Sequence, residues 1–401
     1  MNPSSSTGSL QRFFATAALF LLPFPALNFG VSFTIADVFL VAAVLLNTPR
    51  LLQLQGFQVP FLLALPLFVL STLFDPDGGM VQLIQVFYIW GFVLPFGWVA
   101  FVGLPVRRIV VVVLASAVTN SLIAVGQGAG YLPELGNQRL IVFNSGFSRA
   151  AGLCLKCNSL VMSLTPCLLL IPCLRKVVTR IGVLLVLILG LLAAVSKSII
   201  FAAPGVLWYL WHEPRRRQVT VWLVVLGMGW TLVSEGAGGV TDLWYRFGDL
   251  VTKRADRLED SIDNRLELID VSMNYASEVL LLGYGPAGAH ARVSEMTNNT
   301  VHVYYLGVIL AGGLPAALLC FLGMGLVVHG LWKHRQRHMA AYVLTHLLAL
   351  TVMTALLVSF QALPILVGGA VLAQVSQAVP SELPRLAWSS HASSLTWSSH
   401  R

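Results

Sequence analysis

In a sequence that is otherwise mostly apolar, Arg149, Lys197, Arg265 and His302 are the side chains placed to do chemistry. Arg265 follows Asn264, a good helix N-cap, with Glu267 three residues beyond the cap, close to a capping box. A cation in a first helical turn opposes the helix dipole, so the placement suits a site where an anion is also present. The free N–H groups of a helix start and a guanidinium together suit a phosphate. The other reading of Arg265 is an interfacial arginine paired with Asp263 or Glu267. His302 stands at the mouth of an apolar run. A neutral imidazole there can take a proton from a hydroxyl, or serve only as a hydrogen-bonded anchor. Lys197, in Ala194-Val195-Ser196-Lys197-Ser198, is the one charge between two apolar runs. Arg149 opens Arg149-Ala150-Ala151-Gly152, ahead of Lys156 and Asn158. Either cation meets an anion or snorkels to a membrane interface.

The elements that must hold these groups are membrane helices. Hydrophobic residues make up 57% of the 401 and charged residues only 10%, against about a quarter charged in a soluble domain. A span needs roughly 20 apolar residues. Candidate spans run over 12–29, 31–47, 57–74, 80–102, 108–128, 151–173, 178–195, 198–211, 218–235, 300–331, 339–361 and 363–377. Arg12 precedes the first run without a convincing small-residue cleavage site, so that run reads as a span and not a signal peptide. With the N-terminus inside, Arg50, Arg107, Arg108, Arg175, Lys176, Arg180, Arg215 to Arg217, Lys333, Arg335 and Arg337 all fall on the cytoplasmic side. Asp75, Asp77 and Glu134 fall on the other, as the positive-inside rule requires. That sidedness accounts for the net charge of +8, and no nucleic-acid partner is implied.

The expected fold is therefore all-α: a polytopic membrane helical bundle of about 12 transmembrane helices. It forms a single membrane domain over 1–401, with a large outer-face helical loop at 236–300. A second outer segment, 129–149, lies on the same side, and 380–401 reads as a disordered cytoplasmic tail. In the large loop, Leu266, Ile269, Met273, Ala276 and Leu280 recur at helical spacing, a stripe on which a helix would lie along the membrane surface. Gly283 suits the C′ position of that helix. Gly283-Tyr284-Gly285-Pro286-Ala287-Gly288 matches neither a Walker loop nor a dinucleotide fingerprint. It reads as a turn that lets backbone approach a ligand or a neighbouring helix. Gly307, Gly312 and Gly313 suggest close helix packing. Cys154-Leu155-Lys156-Cys157 has the CxxC spacing but no further ligands near it, so the five cysteines read as small buried residues and no metal is expected.

Taken in order, the motifs are Arg149-x-x-Gly152 before Asn158, Ser196-Lys197-Ser198, Arg265 before Gly283-Tyr284-Gly285, and His302 with Gly313 eleven residues on. This ordered set, over residues 149 to 316, resembles the bacterial O-antigen ligase and polymerase superfamily. The resemblance implies a metal-independent glycosyltransferase without a cofactor, at the periplasmic face of the inner membrane. The donor would be a glycan on undecaprenyl pyrophosphate, and the acceptor a lipid A-core or a growing glycan. By the same resemblance, His302 and Arg265 are catalytic, and Arg265, Lys197 and Arg149 hold the pyrophosphate. One dominant outer loop favours a ligase, and a repeat-unit polymerase is the alternative. A polysaccharide or lipid transporter is the reading from another class, though it would usually show internal repeats, broken helices or midplane charges. The chain departs from the family pattern at Val303, Ala311 and Lys197. Lysine keeps the charge of the usual arginine but lacks its bidentate fork.

Overall fold

The computed structural model describes residues 4–27, 33–75, 80–135, 141–142, 148–194, 204, 269–275, 278–279, 281–297, 304–350 and 359–377. The expected spans 198–211 and 218–235, most of the 236–300 loop and the 380–401 tail lie outside them. The described residues are helical apart from short turns and one two-residue strand pair. In chain order the main helices are α1 (Ser4–Leu21), α2 (Ile35–Leu45), α3 (Gln58–Leu73), α4 (Met80–Ala100), α5 (Val106–Gly128), α6 (Cys157–Cys173) and α7 (Val177–Ala194). Then come α8 (Gly285–Thr297), α9 (Tyr304–Lys333), α10 (Arg337–Ala349) and α11 (Ser359–Gln377). Among them α4, α5, α7 and α9 are long and apolar enough to cross a membrane, by length and composition.

Several boundaries differ from expectation for physical reasons. The first helix begins at Ser4, well before Arg12, and ends at Leu21. The sixth begins at Cys157, because Gly152, at φ +62°, holds the preceding residues in a turn; at Pro166 it tightens into a 3-10 helix. The 129–149 segment carries the strand pair, β1 (Ile141–Val142) and β2 (Ser148–Arg149), antiparallel with Ile141 opposite Arg149. Cys154, Cys157, Cys167 and Cys320 are buried, Cys173 is half-buried, and all are free thiols.

The outward face of α7 exposes Val177, Val178, Ile181, Leu185, Leu189 and Leu192. Its inner face is narrow and meets α5 at Gly190, where a Cβ would lie 2.5 Å from Ser121 Oγ. A single helix with so much uncovered aliphatic surface belongs in lipid. On α2, Asp37 is almost wholly buried, yet satisfied. Its carboxylate accepts from the Thr34 amide at 2.6 Å, the Thr34 hydroxyl at 2.8 Å and the Tyr88 hydroxyl at 2.7 Å. The first two bonds start α2, and the third ties it to α4.

The longest helix, α9, lies along α3. Gly312 and Gly323 make room for the rings of Phe68 and Phe61, which would meet an added Cβ at 2.5 and 2.7 Å. Phe68 in turn stacks on Trp90 of α4, with centroids 4.2 Å apart. The continuity of α9 fails at Gly313, where φ is 81° and ψ 169°, a region open essentially to glycine alone. Pro315 follows and has no N–H to give the carbonyl of Ala311. Gly313→Ala is expected to destabilise the protein by about 1–3 kcal/mol. A lowered thermal midpoint of the purified protein in detergent would show it, and an unchanged midpoint would refute the strain.

Candidate functional site

Two clusters hold the turns that bear the motif glycines. The first surrounds the turn at 150–154. Gly152 has φ +62°, and a Cβ there would fall 2.1 Å from Asn120 Oδ1, so no other residue fits. Two buried amide side chains of α5 fasten this turn. Gln127 Oε1 accepts from the Ala151 amide at 3.2 Å and the Gly152 amide at 2.9 Å. Asn120 Oδ1 accepts from the Leu153 amide at 2.6 Å. The Asn120 amide donates to the Pro23 carbonyl at 3.4 Å, and the Ala26 amide donates to the Leu153 carbonyl at 3.0 Å, so the α1–α2 connection joins the cluster. The Ala150 amide donates to the Ala193 carbonyl at the end of α7, 3.1 Å away. The residue after Arg149 is thereby held four positions before Lys197.

The second cluster surrounds the glycine turn. Gly283 is packed so closely that a Cβ would lie 2.3 Å from the backbone carbon of Ala311 in α9. The Gly283 amide donates to Ser71 Oγ of α3 at 3.0 Å. The Tyr284 amide donates to the Leu310 carbonyl at 2.7 Å. That carbonyl lies just ahead of the Gly313 break, where helical pairing is interrupted. The turn thus enters the broken helix and supplies a donor its own backbone lacks. Of the two partners the sequence left open, ligand or helix, the observed one is the helix. Gly283 is required for space. The residue with positive φ is Gly285, at +79°, so the expected C′ role of Gly283 is corrected.

Helix α8 starts at Gly285, with Pro286 in the first turn, where a missing N–H costs nothing. Asp75, just beyond the end of α3 and buried, accepts from the Gly288 amide at 2.9 Å. A carboxylate at a helix N-terminus is favoured by the dipole and satisfies a donor that the helix cannot. On the outer surface, the Tyr284 hydroxyl donates to Glu278 at 2.6 Å, and Arg292 of α8 lies over its ring at 5.6 Å. Burial first, and then the Glu278 carboxylate, push the Tyr284 phenol up to about 12, so it remains a donor throughout the neutral range. Residues 269–275 are helical; Ile269 and Met273 face outward and Ser272 inward. Of the expected apolar stripe, Ile269 and Met273 are the described members, and both are exposed; Leu266, Ala276 and Leu280 lie outside the described residues.

Arg265, Lys197 and His302 lie outside the described residues. Arg149 is in β2, where its backbone pairs with Ile141. The structure brings the Arg149 turn to the end of α7, which leads to Lys197. It brings the glycine turn to α9, whose N-terminal end follows His302 by two residues.

Residues 182–322 match the family described as O-antigen ligase. No curated protein matches the sequence. The matched O-antigen ligase region runs from within α7 to within α9 and takes in Lys197, Arg265, the glycine turn, His302 and Gly313. Arg149 and Gly152 precede it, as do the residues that fasten both clusters: Ser71, Asp75, Asn120 and Gln127. Sequence reasoning missed those four as positioning groups. Asn120 and Gln127 carried a signal, being amides seven residues apart on one face of an apolar helix.

Asn120→Ala removes the acceptor of the buried Leu153 amide. A loss of about 1–3 kcal/mol in stability is expected, with new protease cleavage in the 148–154 segment. An unchanged melting midpoint and digestion pattern would contradict the fastening role.

Proposed function

We propose that this protein is an O-antigen ligase, transferring a glycan from undecaprenyl pyrophosphate to a sugar hydroxyl of the lipid A-core at the periplasmic face of the inner membrane. The observation that carries the reading is the O-antigen ligase match across residues 182–322, which covers the segment holding Lys197, Arg265 and His302 in order. The alternation of basic and acidic loops supports an outer location for all three. The lipid-facing surface of α7 supports a membrane-embedded donor.

The chemistry asks for little beyond these residues. The acceptor oxygen attacks the anomeric carbon, the bond from that carbon to the phosphate oxygen breaks, and the pyrophosphate leaves with added negative charge. Arg265 and Lys197 offset that charge at an interface of low dielectric, where fixed cations count most. His302 takes the proton from the acceptor hydroxyl. Arg149 adds a second phosphate contact from the neighbouring turn. No metal enters this scheme.

Deletion of the gene, read on a lipopolysaccharide gel, tests the assignment. The expected result is core without polymer, while glycan accumulates on undecaprenyl pyrophosphate. Core bearing a single repeat would instead assign a polymerase, and an unchanged profile would refute both. In the deletion strain, the wild-type gene should restore the polymer. His302→Ala and Arg265→Ala should not, although each protein reaches the membrane. Lys197→Arg should restore it, since it keeps the charge and gains the fork. Restoration by Arg265→Ala would end the phosphate-site role.

A further inference from the structure

We propose that Asp75 is a positioning residue for glycan transfer, holding the start of α8 and through it the approach to His302. The proposal rests on the ligase reading above. Asp75 sits just past α3, distant in sequence from the matched region, and is only 7% exposed. One carboxylate oxygen accepts from the Gly288 amide at 2.9 Å. The carboxylate also fills the space beside both glycines of the helix start. An added Cβ would come within 2.5 Å of it at Gly285 and 2.8 Å at Gly288. The close approach thus depends on both glycines. Ser71, one helical turn earlier on α3, receives the Gly283 amide. Ser71 on α3 and Asp75 just beyond its end therefore grip both sides of the turn that enters the α9 break.

Helix α8 runs from this grip to Thr297, five residues before His302. A 13-residue helix is a strut of about 20 Å at 1.5 Å per residue. It packs directly against α9, whose first residue follows His302 by two, so fixing its origin fixes α8 on that helix. Misplacement of a reacting group by about 1 Å can cost on the order of 100-fold in rate without loss of substrate binding. A carboxylate committed to a helix N-terminus acts through that geometry and not on the substrate.

The test compares purified wild-type protein, Asp75→Ala and Asp75→Asn in proteoliposomes, with a glycan on undecaprenyl pyrophosphate as donor and lipid A-core as acceptor. Asp75→Ala should lower kcat by about 10- to 100-fold, with the donor KM changed less than about threefold. Asp75→Asn keeps an oxygen that accepts from the Gly288 amide, so it should retain kcat within about threefold of wild type and the same pH profile. If Asp75→Ala fails to fold, Asp75→Asn alone decides. A folded Asp75→Asn that is inactive, or has a shifted pH profile, overturns positioning in favour of a role for the charge. Full activity in Asp75→Ala overturns the proposal alone, and a wild-type protein without transfer overturns the ligase reading and the proposal with it.

Discussion

A helix broken inside a membrane must find other donors for the carbonyls it frees, because lipid supplies none. In this protein the break at Gly313 and Pro315 in α9 is met by the amide of Tyr284, which reaches the Leu310 carbonyl. The rest of the arrangement depends on that bond. It requires glycine at 283, since any Cβ would collide with Ala311. It seats the glycine turn against α3 and α9. It also sets the origin of α8, which packs against α3 and α9.

The first cluster follows the same logic with different parts. There the irregular backbone at 150–154 is satisfied by the side-chain amides of Asn120 and Gln127, and a positive-φ glycine permits the approach. In both places a motif glycine serves close backbone packing, and a polar residue on a neighbouring helix receives the exposed N–H groups. In sequence, Arg149 adjoins the first of these anchored turns, and the second lies between Arg265 and His302.

Much of this was legible in the sequence. Apolar run length marked most of the described helices. The glycine run at 283–288 announced a close backbone approach, and Gly312 and Gly313 announced tight packing. What was not legible required partners distant in the chain. Nothing local distinguishes Asp75 from an ordinary acid in an outer loop; only its contact with Gly288 does. Helix α8 was missed because its sequence, rich in glycine and alanine, shows no apolar stripe, and its stability comes from the Asp75 cap and packing against α3 and α9. The role of Gly283 was misassigned because helix-end statistics favour a C′ glycine there, whereas crowding against Ala311 is a tertiary effect. Two-residue strands such as β1 and β2 are too short to leave a periodic signal.

The repair of α9 by the outer turn is tested most directly by amide hydrogen exchange in the purified protein. The amides of Gly283, Tyr284 and Gly288 donate to Ser71, Leu310 and Asp75, each on a different part of the frame. They should exchange slowly, together, and far behind the amides of an open surface turn. Exchange of all three at the rate of a free loop would mean that the turn is not seated in the broken helix, and the account built on it would fail.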